Sequence, residues 1–373
     1  MTFAFTILTA FSHARNLGLA RAAPDACGPD SVVKKVAFEH AERAPGQAMP
    51  YTRAAMDLDW EPYHFVKGWA GDKGEYRAEI VDGDKPKTSA LKLLYPKGCT
   101  TMKCAAQAKS KLTRVVDSVT TEFRVKFNDK FDWVMGGKLP GVCGALCQTG
   151  CKLTTGLDGW SSRHMWRPCV WPPKNQTAEA ICAPGEARLV AYVYHANKIH
   201  WCGDDFVFEN FVPQPGEWYH IKNYVRMNTA GPTSQPENAI ADGVLAAWIN
   251  GKPALYKDDI LWRRFTNVSI DTFYFSTFFG GSSTKFQATK DEHVYFSDIL
   301  VREGQCSAEF KEPAPRPDQA PEAPYVGEDD DEDEDENADA ADAADAASDD
   351  AQGQPIFAGQ TGIGIPAACA AVL

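Results

Sequence analysis

No apolar run in the 373 residues approaches the roughly 20 that a membrane-spanning helix needs, so the mature protein is expected to be soluble and without a membrane partner. Long apolar segments at 3.6-residue spacing are scarce, which argues against a helical bundle, and no repeat of fixed period is visible. A basic excess is also lacking. Glu328 to Asp350 holds 14 acidic residues and no Lys or Arg, and no charge follows it. Without those 14 charges the formal net of −12 becomes +2, so the acidity belongs to a tail and the remainder is close to neutral. Such a surface has no broad field for nucleic acid, but it leaves room for a local basic groove that takes an acidic ligand.

Cysteine, by contrast, is abundant. The 11 residues stand at positions 27, 99, 104, 143, 147, 151, 169, 182, 202, 306 and 369. With the sequons Asn175-Gln-Thr177 and Asn267-Val-Ser269 they favour an oxidising compartment. The N-terminus carries a short apolar run, Phe3 to Phe11, and then Ala20-Arg21-Ala22, a small-residue pattern acceptable for signal cleavage. No Lys or Arg precedes that run, and the first 24 residues contain Arg15 and Arg21 but no acid, which equally fits organelle targeting. Secretion is the expectation, with organelle targeting the alternative. Cys143, Cys147 and Cys151 could be read as metal ligands with His164, His195 or His200. Their spacing is wider than that of a zinc pair, and disulfides among them and Cys169, Cys182 and Cys202 are the preferred reading, with connectivity open.

Three regions follow. Residues 1–23 read as a targeting segment, and residues 30–306 as one domain without a linker. Residues 307–373 read as a Pro-rich and then acidic tail whose composition cannot offset its ordering entropy, and which is expected to be disordered. Within the domain, strand signals recur at Ala90 to Tyr95, Thr121 to Phe127, Leu189 to Tyr194, Trp218 to Met227, Val244 to Ile249 and Thr272 to Phe279. Val294 to Val301 is expected to close the sheet, and Asn250-Gly251 marks a hairpin turn. The fold class is all-β, a β-sandwich or jelly roll.

One ordered set of motifs carries chemistry. Gly136-Gly-Lys-Leu-Pro-Gly141 follows Phe131-Asp-Trp-Val134. Next come Gly159-Trp-Ser-Ser-Arg-His-Met-Trp-Arg167, Tyr192-Val-Tyr194 and Ser276-Thr-Phe-Phe-Gly-Gly281. With Leu94-Tyr-Pro-Lys-Gly98 and Trp248-Ile-Asn-Gly251, this set resembles the polysaccharide lyase family 14 domain over about residues 80–302. That family includes alginate lyases and glucuronate-cleaving lyases. The resemblance implies a β-jelly roll that cleaves a 1,4-linked uronate polymer by β-elimination, with no nucleotide or organic cofactor. It implies Lys138, Ser161, Arg163, Tyr192 and Tyr194 as catalytic residues, with Lys138, Arg163 and Tyr192 also binding substrate. The expected partner is an acidic polysaccharide and the expected state a monomer. Cys143 and Ala145 depart from the family pattern, Cys147 and Cys151 sit in an enlarged loop, and His164 replaces an apolar residue; these bear on substrate fit.

The residue types suit the reaction. A uronate lyase must neutralise the C5 carboxylate, remove the C5 proton and protonate the departing O4. Lys138 and Arg163 supply cations, and Arg grips a carboxylate through two parallel hydrogen bonds. In a strand, residues i and i+2 share a face, which pairs Ser161 with Arg163 and Tyr192 with Tyr194. Two neighbouring strands would bring all four around a carboxylate, with Lys138 arriving from a glycine-rich segment whose glycines allow close approach of the polymer. Tyr194 is read as the proton-transfer residue, its phenolate favoured by Lys138 and Arg163, and Tyr192 as the positioning residue; the reverse assignment stays open. One tyrosine can serve both steps only where the C5 proton and O4 lie on one face of the sugar.

Singly, each of these residues has an ordinary reading: a turn lysine, two solvated polar positions, an aromatic strand face. A non-catalytic carbohydrate-binding or cell-wall protein on the same fold is the alternative, and a glycoside hydrolase a third possibility. Asp204-Asp205 and Asp258-Asp259 do not make a carboxylate clamp, because adjacent strand residues point opposite ways.

Overall fold

A computed structural model describes residues 27–39, 43–67, 69, 77–101, 106–169, 183, 185–281 and 283–306. The expected targeting segment, the Asn175 sequon, Cys104, Cys182, Cys369 and the tail lie outside the described residues. The chain divides into Met1–Glu328 and Asp329–Leu373, and all described residues belong to the first unit.

The strands, in chain order, are β1 (Val32–Val36), β2 (Met49–Pro50), β3 (Tyr63–Lys67), β4 (Ala78–Asp82), β5 (Ser89–Tyr95) and β6 (Ala106–Val116). They continue with β7 (Ser118–Phe127), β8 (Gly137–Ala145), β9 (Gly159–Pro168), β10 (Ala187–Tyr194) and β11 (Asp204–Val207). The last are β12 (Trp218–Arg226), β13 (Gly243–Ile249), β14 (Lys252–Ile260), β15 (Ile270–Phe279) and β16 (Glu292–Glu303). A short helix, α1 (Arg53–Trp60), precedes β3; the Thr52 hydroxyl caps it by accepting the Ala55 N–H.

Two antiparallel sheets form a sandwich, the jelly-roll architecture of the all-β reading. One has nine strands in the order β14-β13-β12-β7-β16-β5-β4-β2, with β1 added on β16. The other has seven, in the order β11-β10-β9-β8-β15-β6-β3. The alternation in β7 sends Phe123, Val125 and Phe127 into the core, fully buried. β16 does not close a sheet as its sequence position suggested. It pairs with β7 on one side and β5 on the other, because its apolar face (Val294, Phe296, Ile299, Val301) is long enough to fill a central position.

Large aromatics join the sheets. Trp166 of β9 lies with ring centroids 5.4 Å from Phe127, 5.7 Å from Phe131 and 5.4 Å from Phe279. Truncating such a fully buried ring costs about 3–5 kcal/mol. Glycines of the 136–141 segment serve this packing rather than a polymer. A Cβ on Gly137 would lie 2.1 Å from the Trp166 ring, and one on Gly141 would lie 2.0 Å from the Ser162 carbonyl oxygen.

Disulfides replace the metal reading of the cysteines. Cys143 pairs with Cys147, Cys151 with Cys202, and Cys27 with Cys306, while Cys99 and Cys169 are also disulfide-bonded. Among the described residues no cluster of His, Cys, Asp or Glu is arranged to hold a metal ion, and no helix is long and apolar enough to cross a membrane.

Candidate active site

β9 is buried along almost its whole length, which a strand of a two-layer sandwich achieves only when its outer face is also covered. Its inner face carries Trp160, Ser162, His164 and Trp166. Its outer face carries Ser161, Arg163, Met165 and Arg167, with Arg163 only 3 % exposed. β10 pairs antiparallel with β9 so that Tyr192 lies opposite Arg163 and Tyr194 opposite Ser161. Both tyrosines therefore share the outer face, in a cluster with Met165 and Val190 separate from the main core.

Lys138 reaches the same face from β8, as a strand residue and not from a turn. A bulge between Leu139 and Gly141 shifts the register against β9. One extra residue re-aims the chain, so Leu139 and Val142 both enter the core while Lys138 and Cys143 both stay on the outer face. The Lys138 ammonium stands 4.4 Å from the Tyr192 ring centroid and 3.1 Å from the Met165 sulfur. β15 adds Tyr274 and Ser276. The Cys143–Cys147 bridge packs on Tyr274, whose hydroxyl donates to Gln107 of β6 at 3.4 Å.

All five residues named from sequence thus meet on one sheet face, and their surroundings differ. Arg167 is neutralised by a two-point ion pair with Asp205 of β11, at 2.9 and 3.3 Å. Arg163 has no carboxylate partner among the described residues. Its NH1 donates to Ser276 Oγ at a long 3.4 Å, its buried Nε has no partner, and its guanidinium carbon lies 5.0 Å from the Tyr274 centroid and 5.9 Å from that of Tyr192. Ser161, fully buried, donates to the Gln148 carbonyl at 2.5 Å and so anchors the 146–158 connection over the face.

The two tyrosine hydroxyls lie 3.1 Å apart. Tyr194 accepts the Cys151 N–H at 3.0 Å, and Tyr192 accepts the Gly203 N–H at 3.2 Å. The expected lowering of Tyr194 does not occur. Burial pushes its phenol well above the ordinary tyrosine range, neighbouring Tyr192 adds to this, and the Cys151 N–H and Arg163 pull back only in part.

His164, His195 and His200 are each hydrogen-bonded within the fold. His164 faces the core because it alternates with Arg163. It donates from Nδ1 to the Pro140 carbonyl at 2.6 Å between Phe123 and Phe208, and burial lowers it to about 4. His195 bonds Asp204 and Asn197. Asp204 also takes the His200 ring and backbone N–H and the Ile199 N–H. Burial works against ionisation there, but the bonds from His195 and His200 hold that carboxyl well below the usual range. Sequence reasoning missed Met165, Arg167, Asp205, Ser276 and Tyr274 on the outer face. For Met165 and Arg167 the signal was present, since they continue the i+2 series from Ser161 and Arg163.

A family description, polysaccharide lyase 14, matches residues 84–299, more than half the chain and the span that contains every one of these positions. The chain belongs to polysaccharide lyase family 14. Among solved structures, the alginate lyase Aly36B is 22 % identical, with a TM-score of 0.56 over 74 % of this chain and 98 % of that one. An Aly36B variant in complex with alginate tetrasaccharide is 20 % identical, with a TM-score of 0.57 over 73 % and 97 %. The marine PL-14 alginate lyase from Aplysia kurodai is 19 % identical, with a TM-score of 0.52 over 70 % and 100 %. At these identities the structures show the sandwich fold alone. No curated protein matches the chain.

Proposed function

We propose that this family 14 lyase cleaves a 1,4-linked uronate polymer by β-elimination on the outer face of the seven-stranded sheet. The observation that carries this reading is Arg163, a buried guanidinium without a carboxylate partner among the described residues, beside Lys138 and the tyrosine pair. A buried cation left uncompensated is costly, and a substrate carboxylate supplies the missing charge. Arg163 and Lys138 would face the C5 carboxylate and stabilise the negative charge that develops as the C5 proton leaves.

The balance of contacts favours Tyr192 over Tyr194 for proton transfer. Lys138, Arg163 and Arg167 all lie within 4.4–5.9 Å of the Tyr192 ring centroid, whereas Tyr194 is 1 % exposed. In this scheme Tyr192 takes the C5 proton, the C4–O4 bond breaks as the C4=C5 bond forms, and the same proton passes to O4. Tyr194 orients Tyr192, and Ser161 holds the covering connection. Because all these groups belong to one sheet face, they address one face of the sugar. D-Mannuronate and D-glucuronate present the C5 proton and O4 on a common face, and L-guluronate on opposite faces. Polymannuronate or glucuronan is therefore the proposed substrate.

Incubation with polymannuronate, glucuronan and polyguluronate, following the ultraviolet absorbance of the unsaturated product, tests this. The absorbance should rise with one or both of the first two polymers and rise far more slowly with polyguluronate. Binding without any rise would favour the carbohydrate-binding alternative instead. The disulfides and the exposed Asn267 of the second sequon support secretion of a glycosylated protein whose catalytic domain spans residues 30–306.

A further inference from the structure

The two backbone N–H groups that reach the tyrosine hydroxyls come from different connections. Cys151 lies in the 146–158 connection between β8 and β9, and Gly203 lies between β10 and β11. One covalent bond joins these connections, Cys151–Cys202, and it involves one donor residue and the immediate neighbour of the other. Cys202 packs on the Tyr192–Tyr194 cluster. Gly203 approaches both rings so closely that a Cβ there would lie 2.8 Å from Tyr192 and 2.9 Å from Tyr194. The Gly203 side is braced further by Asp204, which gathers the Ile199 and His200 N–H groups and the His195 and His200 rings.

We propose that the Cys151–Cys202 disulfide is a positioning device for the elimination: it clamps two N–H donors onto the Tyr194 and Tyr192 oxygens, where they take up negative charge during proton transfer. This rests on the lyase reading above. An N–H aimed at a phenol oxygen stabilises the phenolate more than the phenol, and such a donor acts only if it is fixed before the charge develops. Neither connection is part of the sheet ladder at these residues, so the covalent link adds to the Ser161–Gln148 bond and the Asp204 bonds in opposing their drift from the face. Among the described residues the other charged groups beside the pair are Lys138 on β8, Arg163 and Arg167 on β9 and Asp205 on β11, and loss of the link is expected to leave these strand residues in place.

The test is the double variant Cys151→Ala/Cys202→Ala, with Cys27→Ala/Cys306→Ala as a control in which a remote bridge is lost. The clamp predicts that the pH profile of kcat/KM moves upward by about one unit in the first variant, with roughly tenfold lower kcat at neutral pH and little change in KM, since a hydrogen bond to a charged group is worth that much. In the control only the melting temperature should fall. A folded Cys151→Ala/Cys202→Ala protein with the wild-type profile overturns the proposal. Should that variant not fold, partial reduction of the folded wild type, with the opened bridge located by alkylation and peptide mapping, gives the same comparison. Titration of carbon-13 tyrosine signals, assigned with the Tyr→Phe variants, needs no substrate. An upward move of Tyr194 on loss of the bridge supports the clamp and an unmoved signal refutes it, even if the wild type cleaves no uronan and the lyase reading alone fails.

Discussion

Replacing Arg163 by methionine should separate stability from activity in opposite directions. The wild-type guanidinium is 3 % exposed, with no carboxylate partner among the described residues and one long hydrogen bond to Ser276. Its desolvation costs several kcal/mol even after relaxation. Stacking on Tyr274 and Tyr192, at 5.0 and 5.9 Å, returns about 1–2 kcal/mol in a desolvated setting. Methionine fills similar volume without charge, so the free protein should gain about 1–2 kcal/mol. For a domain of this size that is a rise of roughly 2–6 °C in melting temperature. Activity should fall steeply. A charge-assisted bond to the carboxylate contributes about 1.5–3 kcal/mol, and preorganised transition-state donors typically account for about 10²–10³ in rate. Calorimetry and the initial rate of double-bond formation measure the two effects on one preparation. A variant that melts higher but cleaves at the wild-type rate refutes the assignment of Arg163, and one that melts well below the wild type refutes the claim that the site holds an uncompensated cation.

Other expectations follow from the same contacts. Tyr192→Phe should lose at least about 10²-fold in kcat, the usual scale of general acid–base catalysis, while Tyr194→Phe should lose less; the reverse order in steady-state assays would restore Tyr194 as the proton carrier. His164 is held at about 4 in the folded protein against about 6.5 when unfolded, so the unfolded chain binds the extra proton between these values. Its contribution to stability is therefore complete above about pH 6.5 and is lost as pH falls toward 4, at about 1.4 kcal/mol per unit. In urea titrations across that window, His164→Leu should show a shallower slope, and an unchanged slope would contradict its burial as a neutral ring. Loop-closure entropy makes Cys27–Cys306, with a separation of 279, worth more than Cys143–Cys147, with a separation of 4: about 6 against about 2 kcal/mol as upper figures. Denaturant midpoints of the paired Ala variants should follow that order. Gly137→Ala, whose Cβ would meet the Trp166 ring at 2.1 Å, should destabilise the fold and reduce turnover together by displacing the neighbouring Lys138. Wild-type midpoint and rate would disprove that packing.

The sequence carried the outer face of β9 and β10 well, because the i+2 rule needs no tertiary knowledge. Ser161 with Arg163 and Tyr192 with Tyr194 came out on one face, Tyr192 opposite Arg163 and Tyr194 opposite Ser161. It misled where a local feature depended on a distant partner. Lys138 looked like a turn residue because its glycines signal turns; those glycines exist because Trp166 and Ser162 crowd β8, and the bulge that aims the lysine is not written in residue type. β16 looked terminal because it comes last in the domain, whereas its pairing with β5 and β7 is a matter of topology. The lowered phenol expected at Tyr194 counted the nearby cations and omitted burial, which dominates once the 146–158 connection covers the face. Disulfide pairing was likewise unreadable, since Cys151 and Cys202 meet only when β8–β9 and β10–β11 are neighbours.

The most direct test of the elimination chemistry is to count two products in one digest of polymannuronate or glucuronan: new reducing ends and C4=C5 double bonds. β-Elimination at the Lys138–Arg163–Tyr192 face predicts equal amounts of both, and neither with Arg163→Met beyond a small residue. Reducing ends without double bonds, or equal yields from wild type and variant, would contradict it.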